Sequence, residues 1–229
     1  MPRLTMKTRP QPLRPPAAHA VLAALAAMVA LVGAAAPMTA SAQQDTYSYR
    51  DPSDPSYGPN RARLAVFGGV HLGGRARQSS GGTGISQDLG PAPTVGLRVE
   101  LPIGPFFVVG GFGDFVSIQA DRAPVGANRL SLLGLGVWLK FRGVLALGAS
   151  LLELYVGVPL GISVWVPTDA GVDPEQGAVM GLLGGAQAHL SDSVALFAEC
   201  GFRLDYFNLR GTGTTYLQGA VRVGVSFGF

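Results

Sequence analysis

The chain has 229 residues, of which 14% are charged and 48% hydrophobic, with 33 glycines, 17 prolines, one cysteine and a formal net charge of +3. A single cysteine excludes an intrachain disulfide. The positive charge belongs to one end: Arg3, Lys7, Arg9 and Arg14 precede residue 43 and no acidic residue does, so the remainder carries thirteen basic against fourteen acidic side chains, a net of −1. A stretch so nearly neutral has no electrostatic footprint for nucleic acid.

Residues 1–42 read as a cleavable secretory signal peptide. Basic residues lead into an uncharged run, 20–36, and Ala40-Ser41-Ala42 is a small-x-small cleavage site, with cleavage expected after Ala42. Beyond it no uncharged run approaches the ~20 residues of a spanning helix. The longest, 154–168, contains Gly157, Pro159 and Gly161. An exported, apolar chain without such a helix is either a soluble β fold or a closed membrane barrel. Residues 43–60, rich in Asp, Ser, Pro and Tyr, have no periodicity and are expected to form a disordered periplasmic tail, leaving 61–229 as one domain.

Within that domain eight period-2 segments follow one another. The first, 63–72, turns Leu64, Val66, Gly68, Val70 and Leu72 outward and Phe67 and His71 inward. A polar, glycine-rich loop, 73–93, leads to the second, 94–101, where Val95, Leu97, Val99 and Leu101 oppose Thr94, Gly96, Arg98 and Glu100. Pro102-Ile103-Gly104-Pro105 makes a tight turn. The third, 106–119, is apolar on both faces, and Asp114 is best suited inward. After a polar loop, 120–128, the fourth, 130–141, sets Leu133, Leu135, Val137, Leu139 and Phe141 against Gly134, Gly136, Trp138 and Lys140. Residues 142–150 read as a turn of unusually apolar composition.

The fifth segment, 151–166, places eight aliphatic residues from Leu152 to Val166 opposite Glu153, Tyr155, Gly157, Gly161, Ser163 and Trp165. Pro159 within it cannot donate to a ladder, so a bulge or local break is expected there. A loop, 167–177, precedes the sixth, 178–190, with Gly181, Leu183, Gly185, Gln187 and His189 inward. Ser191-Asp192-Ser193 turns the chain into the seventh, 194–206, whose inward face carries Phe197, Glu199, Gly201, Arg203 and Asp205. A last loop, 208–215, leads to the eighth, 216–229. There Leu217, Gly219, Val221, Val223, Val225, Phe227 and Phe229 alternate with Tyr216, Gln218, Ala220, Arg222, Gly224, Ser226 and Gly228.

Alternation alone does not separate a barrel from a soluble sandwich, because both bury one face. The apolar faces here are long, and the polar faces are rich in Gly and poor in Lys. The expected loops are long after segments one, three, five and seven and short after two and six, which is the asymmetry of outer-membrane barrels. The final segment, with Val221, Val223, Val225, Phe227 and Phe229, resembles the C-terminal assembly signal of bacterial outer-membrane β-barrels. Over nearly all of 61–229 the pattern resembles the small eight-stranded barrels of the OmpX and OmpA transmembrane-domain type. The fold expected is therefore all-β, a closed antiparallel up-and-down transmembrane barrel. The resemblance implies an integral surface protein, monomeric, whose partners are outer-membrane lipid and the barrel-assembly machinery.

In such a barrel the polar faces line the lumen, and Arg98, Glu100, Asp114, Lys140, Glu153, Glu199, Arg203, Asp205 and Arg222 are expected there. Their signs nearly cancel, which suits pairing in a narrow interior and not a one-sign selectivity ring. No catalytic residue is assigned. His189-Leu190-Ser191 is similar to the His-x-Ser element of outer-membrane lipid A deacylases, but the proposed topology puts it at the periplasmic end, facing the lumen. With two histidines and one cysteine beyond residue 42, no metal or cofactor is expected. The expected role is structural or surface-interacting, through loops 73–93 and 167–177; a lipid-modifying enzyme and a narrow solute channel are the alternatives.

Overall fold

The computed structural model describes residues 58–80, 83–119, 129–147, 150–167, 174–209 and 212–229. A short 3-10 turn, Gly58–Asn60, is followed by β1 (Arg63–Ser80), β2 (Thr83–Leu89), β3 (Ala92–Pro102), β4 (Phe107–Gln119), β5 (Arg129–Leu147), β6 (Ser150–Pro167), β7 (Glu175–His189), β8 (Val194–Leu209) and β9 (Thr212–Gly228). Each strand pairs antiparallel with its chain neighbour, except that β3 pairs with β1 and not with β2. Strands β2 and β3 are two lengths of one staggered strand, parted at Gly90 and Pro91, where proline removes a donor from the ladder. The last strand returns to the first, with Arg63 opposite Gly228 and Val66 opposite Val225. The result is a closed eight-stranded antiparallel barrel.

The register also fixes its stagger. From Tyr155, successive cross-strand partners are Gly185, Glu199, Arg222, Gly69, Thr94, Val116, Leu132 and finally Trp165, ten residues farther along the strand on which the circuit began. Closure with such a shear tilts the strands against the barrel axis, and eight of them leave an interior that side chains just fill.

The two faces follow the alternation. Leu97, Leu135, Val156, Ile162, Met180, Phe202 and Val223 are exposed on the outside, whereas Phe67, Trp138, Tyr155 and Phe197 are buried within. An apolar exterior around a polar interior is the reverse of a soluble sheet fold, and it suits lipid outside. Aromatic side chains gather at the end that holds Arg63 and Phe229, hereafter the terminal side: Phe106, Phe141, Phe227 and Phe229 are exposed, and Phe107 meets Phe141 at 5.0 Å between ring centroids.

Several expectations are corrected. Residues 142–150 are not a turn: β5 runs on to Leu147 and β6 begins at Ser150. The loop expected over 73–93 is largely a hairpin of β1 and β2, and that over 208–215 is mostly the ends of β8 and β9. On the side away from the termini, the hairpin side, two of the four expected long loops are thus strand over most of their length. Pro159 breaks the ladder without a bulge: the pairing of Gly157 with Leu183 and of Leu160 with Met180 keeps one register across it. Residues 1–57, with the predicted signal peptide and most of the tail, and 120–128 lie outside the described residues.

Narrowness leaves no room for side chains opposite the lumen aromatics. A Cβ at Gly157 would overlap the six-membered ring of Trp138, and one at Gly185 the ring of Tyr155. Gly157→Val should therefore destabilise the barrel by about 1–3 kcal/mol, the usual cost of overpacking. Gly143→Ala, where a Cβ meets nothing within 4 Å, should leave stability unchanged; urea unfolding in vesicles measures both.

Candidate functional site

All nine side chains assigned to the lumen point into it, each at most 3% exposed. They form a connected ladder. Nearest the hairpin side, Arg203 donates to Asp114 at 2.6 Å and grips both carboxylate oxygens of Asp205 at 2.8 Å. Arg222 reaches the other oxygen of Asp114 at 3.1 Å and lies 3.6 Å from Glu199. Arg98 joins Glu199 at 3.0 Å to Glu100 at 2.9 Å, and Tyr155 donates its hydroxyl to Glu199 at 2.9 Å. Lys140 then bridges Glu100 at 2.9 Å and Glu153 at 2.6 Å.

Aromatic rings fill the spaces between the rungs. The Arg98 guanidinium lies 4.1 Å from the Trp138 ring centroid and 4.9 Å from that of Phe197, and Arg222 lies 5.0 Å over Phe67. Trp138 adds an indole N–H to Glu100 at 3.1 Å. A cation on a ring face keeps an electrostatic partner where water is excluded. Glycine makes the space: a Cβ at Gly134 would collide with the Asp114 carboxylate and with Arg203.

Two arginines outside the expected set complete the terminal side. Arg142 donates to Glu153 at 3.2 Å, to the Asn60 side chain at 2.8 Å, to the carbonyls of Gly104 and Pro105 at 3.1 Å each, and to that of Pro59. Five acceptors meet its five N–H donors. Arg63 donates to the Gly58 carbonyl, lies 3.2 Å from His189 Nδ1 and donates to the Ser226 hydroxyl at 3.3 Å. Gly58–Asn60 thus crosses the terminal-side mouth, Gly58 lying beside Asp192. The last three residues of the expected tail are a cap, with Gly58 and Pro59 buried.

The sequence held the signal for both arginines. Arg63 has the parity of Phe67, and Arg142 continues the inward series Trp138, Lys140; only the apolar run Val144 to Leu147 disguised the strand. With them the lumen holds six basic and five acidic side chains among the described residues, still close to balance.

The hairpin side differs from the polar lumen expected throughout. There the inward face is mainly apolar: Ala76, Leu89, Ala92, Val116, Ile118, Leu132, Phe207 and Tyr216 form a buried cluster, with Trp165 packed against it. Phe207 and Tyr216 meet edge to face at 5.9 Å. Beneath this seal His71 pairs with Gln218 at 3.1 Å. Among the described residues the lumen is therefore filled from cap to seal.

The His189–Ser191 pair does not assemble. His189 is buried against Arg63 and lies 3.6 Å from Glu153, whereas the exposed Ser191 hydroxyl accepts from the amides of Ser193 and Val194 in the turn. Among the described residues no group of three or more His, Cys, Asp or Glu is placed to hold a metal.

The architecture is that of a small eight-stranded transmembrane β-barrel. No family model and no curated protein matches the chain. Solved structures similar to it include Neisserial surface protein A, at 17% identity over 73% of this chain and 99% of that one, with a TM-score of 0.42. The outer membrane protein OprG from Pseudomonas aeruginosa follows at 10% identity, 74% and 97% coverage and a TM-score of 0.46. The attachment invasion locus protein of Yersinia pestis has 12% identity, 74% and 99% coverage and a TM-score of 0.31. Likeness at this level is no more than a likeness of shape, and the barrel here rests on the closure of its own register.

Truncating one member of a buried, paired cluster strands its partners' charges, at a cost of about 3–5 kcal/mol. Arg203→Ala should lower stability by that amount, because Asp114 and Asp205 both lose their main partner. Adding Asp205→Asn to Arg203→Ala should recover part of the loss, and a double-mutant cycle in denaturant measures it.

Proposed function

We propose that the chain is a non-enzymatic, integral outer-membrane barrel, monomeric, exported by its N-terminal signal and assembled through its C-terminal strand. Its role on this reading is structural or surface-interacting, carried by the hairpin side: the β1–β2 hairpin over 73–93 and the connection over 167–177. The observation that carries it is the occupied lumen beneath an apolar outer wall. A pore needs a continuous wet path, whereas here a carbonyl cap, a paired ionic ladder and an apolar plug follow one another along the axis.

The enzyme alternative is weakened by the separation of His189 from Ser191, and catalysis by the ladder is disfavoured because its carboxylates already face cations. The channel alternative would require the Gly58–Asn60 cap and the apolar seal both to move aside.

The test is membrane fractionation with boiled and unboiled gel samples. A folded barrel should pellet with outer membrane, resist detergent extraction and change mobility on heating; a soluble periplasmic protein should do none of these. In planar bilayers the purified barrel should show no reproducible unitary conductance, and steady single-channel steps would favour the channel reading.

A further inference from the structure

The outer face of the β1–β2 hairpin carries charges for which the barrel's own packing has no use. Up to Leu72, β1 turns its even-numbered residues outward: Leu64 and Val66 are exposed, whereas Ala65, Phe67 and His71 are buried. At Gly73, with φ of 49°, the register against β9 shifts between Leu72 and Gly74. One extra residue exchanges the two faces of everything beyond it. Ala76 accordingly enters the apolar seal, and Arg75 and Arg77 stand exposed on the outer face. Without the bulge, the alternation would have sent both arginines into the seal. The positive φ suits glycine, which lets the shift occur there. The break at Gly90 and Pro91 matches it on the adjoining strand, with Leu89 and Ala92 buried on either side.

The register sets their height. Arg75 lies opposite Leu217, which is 46% exposed in the apolar band, and Arg77 lies opposite Thr215. One arginine therefore sits at the margin of the band, and the other about 7 Å farther along the strand. Across the hairpin their partners are Asp88 and Ser86. Arg75 Nε is 3.7 Å from Asp88, with side chains 70% and 91% exposed, and so open a pair holds neither group in place. Arg77 has only the uncharged Ser86 and Thr215 across from it.

We propose that Arg75 and Arg77 form a binding site for anionic lipid headgroups that end in a phosphate monoester, on the hairpin side, with the Gly73 bulge as the device that aims them. The inference rests on the reading of the chain as a membrane barrel. Each aliphatic stem lies along the apolar wall while the guanidinium reaches the headgroup level. There its planar fork matches two phosphate oxygens at once, which an ammonium cannot do.

The test uses barrel refolded into phosphatidylcholine vesicles, with and without phosphatidic acid of the same acyl chains, and reads the temperature at which gel mobility shifts. Phosphatidic acid should raise that temperature by several degrees for the parent chain. The doubly substituted Arg75→Ser, Arg77→Ser chain should keep its midpoint in phosphatidylcholine and lose the increment, whereas Asp88→Asn should enlarge it. Inorganic phosphate at the same concentration should leave the parent midpoint unchanged. A full increment in the double variant, or its reproduction by inorganic phosphate, overturns the proposal. Failure of the parent chain to shift mobility in any vesicle overturns instead the membrane reading beneath it.

Discussion

A charge inside a narrow barrel has no water to turn to, and that constraint organises this molecule. Desolvating an ion costs more than most single contacts return, so a carboxylate admitted to the lumen must meet cations there. Glu100 meets Arg98 and Lys140, and Glu153 meets Lys140 and Arg142. Where contacts cross the lumen, as between Arg98 on β3 and Glu199 on β8 or between Asp114 on β4 and Arg203 on β8, the ladder fixes which strands face one another across the axis. The apolar exterior sets no such register, since one aliphatic side chain suits lipid as well as another.

The glycines belong to the same constraint. Eight strands leave an interior that aromatic and guanidinium groups overfill unless other positions carry no side chain, and Gly134, Gly157 and Gly185 provide that room. A composition that looks permissive in the sequence is the complement of Trp138, Tyr155 and Arg203 in space.

Most of the wall was legible because period-2 alternation survives wherever one face meets lipid. Strands over Thr94 to Leu101 and Val194 to Tyr206 needed nothing more, and the nine lumen charges lie on the faces their parity implies. Legibility failed where the solvent changed. Near Val144 to Leu147 both faces turn apolar, which hid the end of β5 and with it Arg142. Beyond Leu72 the bulge reverses the alternation, so that hairpin looked like a loop. Gly58–Asn60 has no periodicity at all; its order comes from guanidinium donors that reach it from β1 and β5, a tertiary effect no local pattern records.

Arg142 joins chain segments that lie far apart in sequence: the stretch before the first strand, the turn after β3, and Glu153 on β6. A clasp of this kind cannot fasten piecemeal. Its acceptors share one place only when the wall from β1 through β3, β4 and β5 to β6 has curled about the axis, so the entrance shuts as a by-product of that curvature.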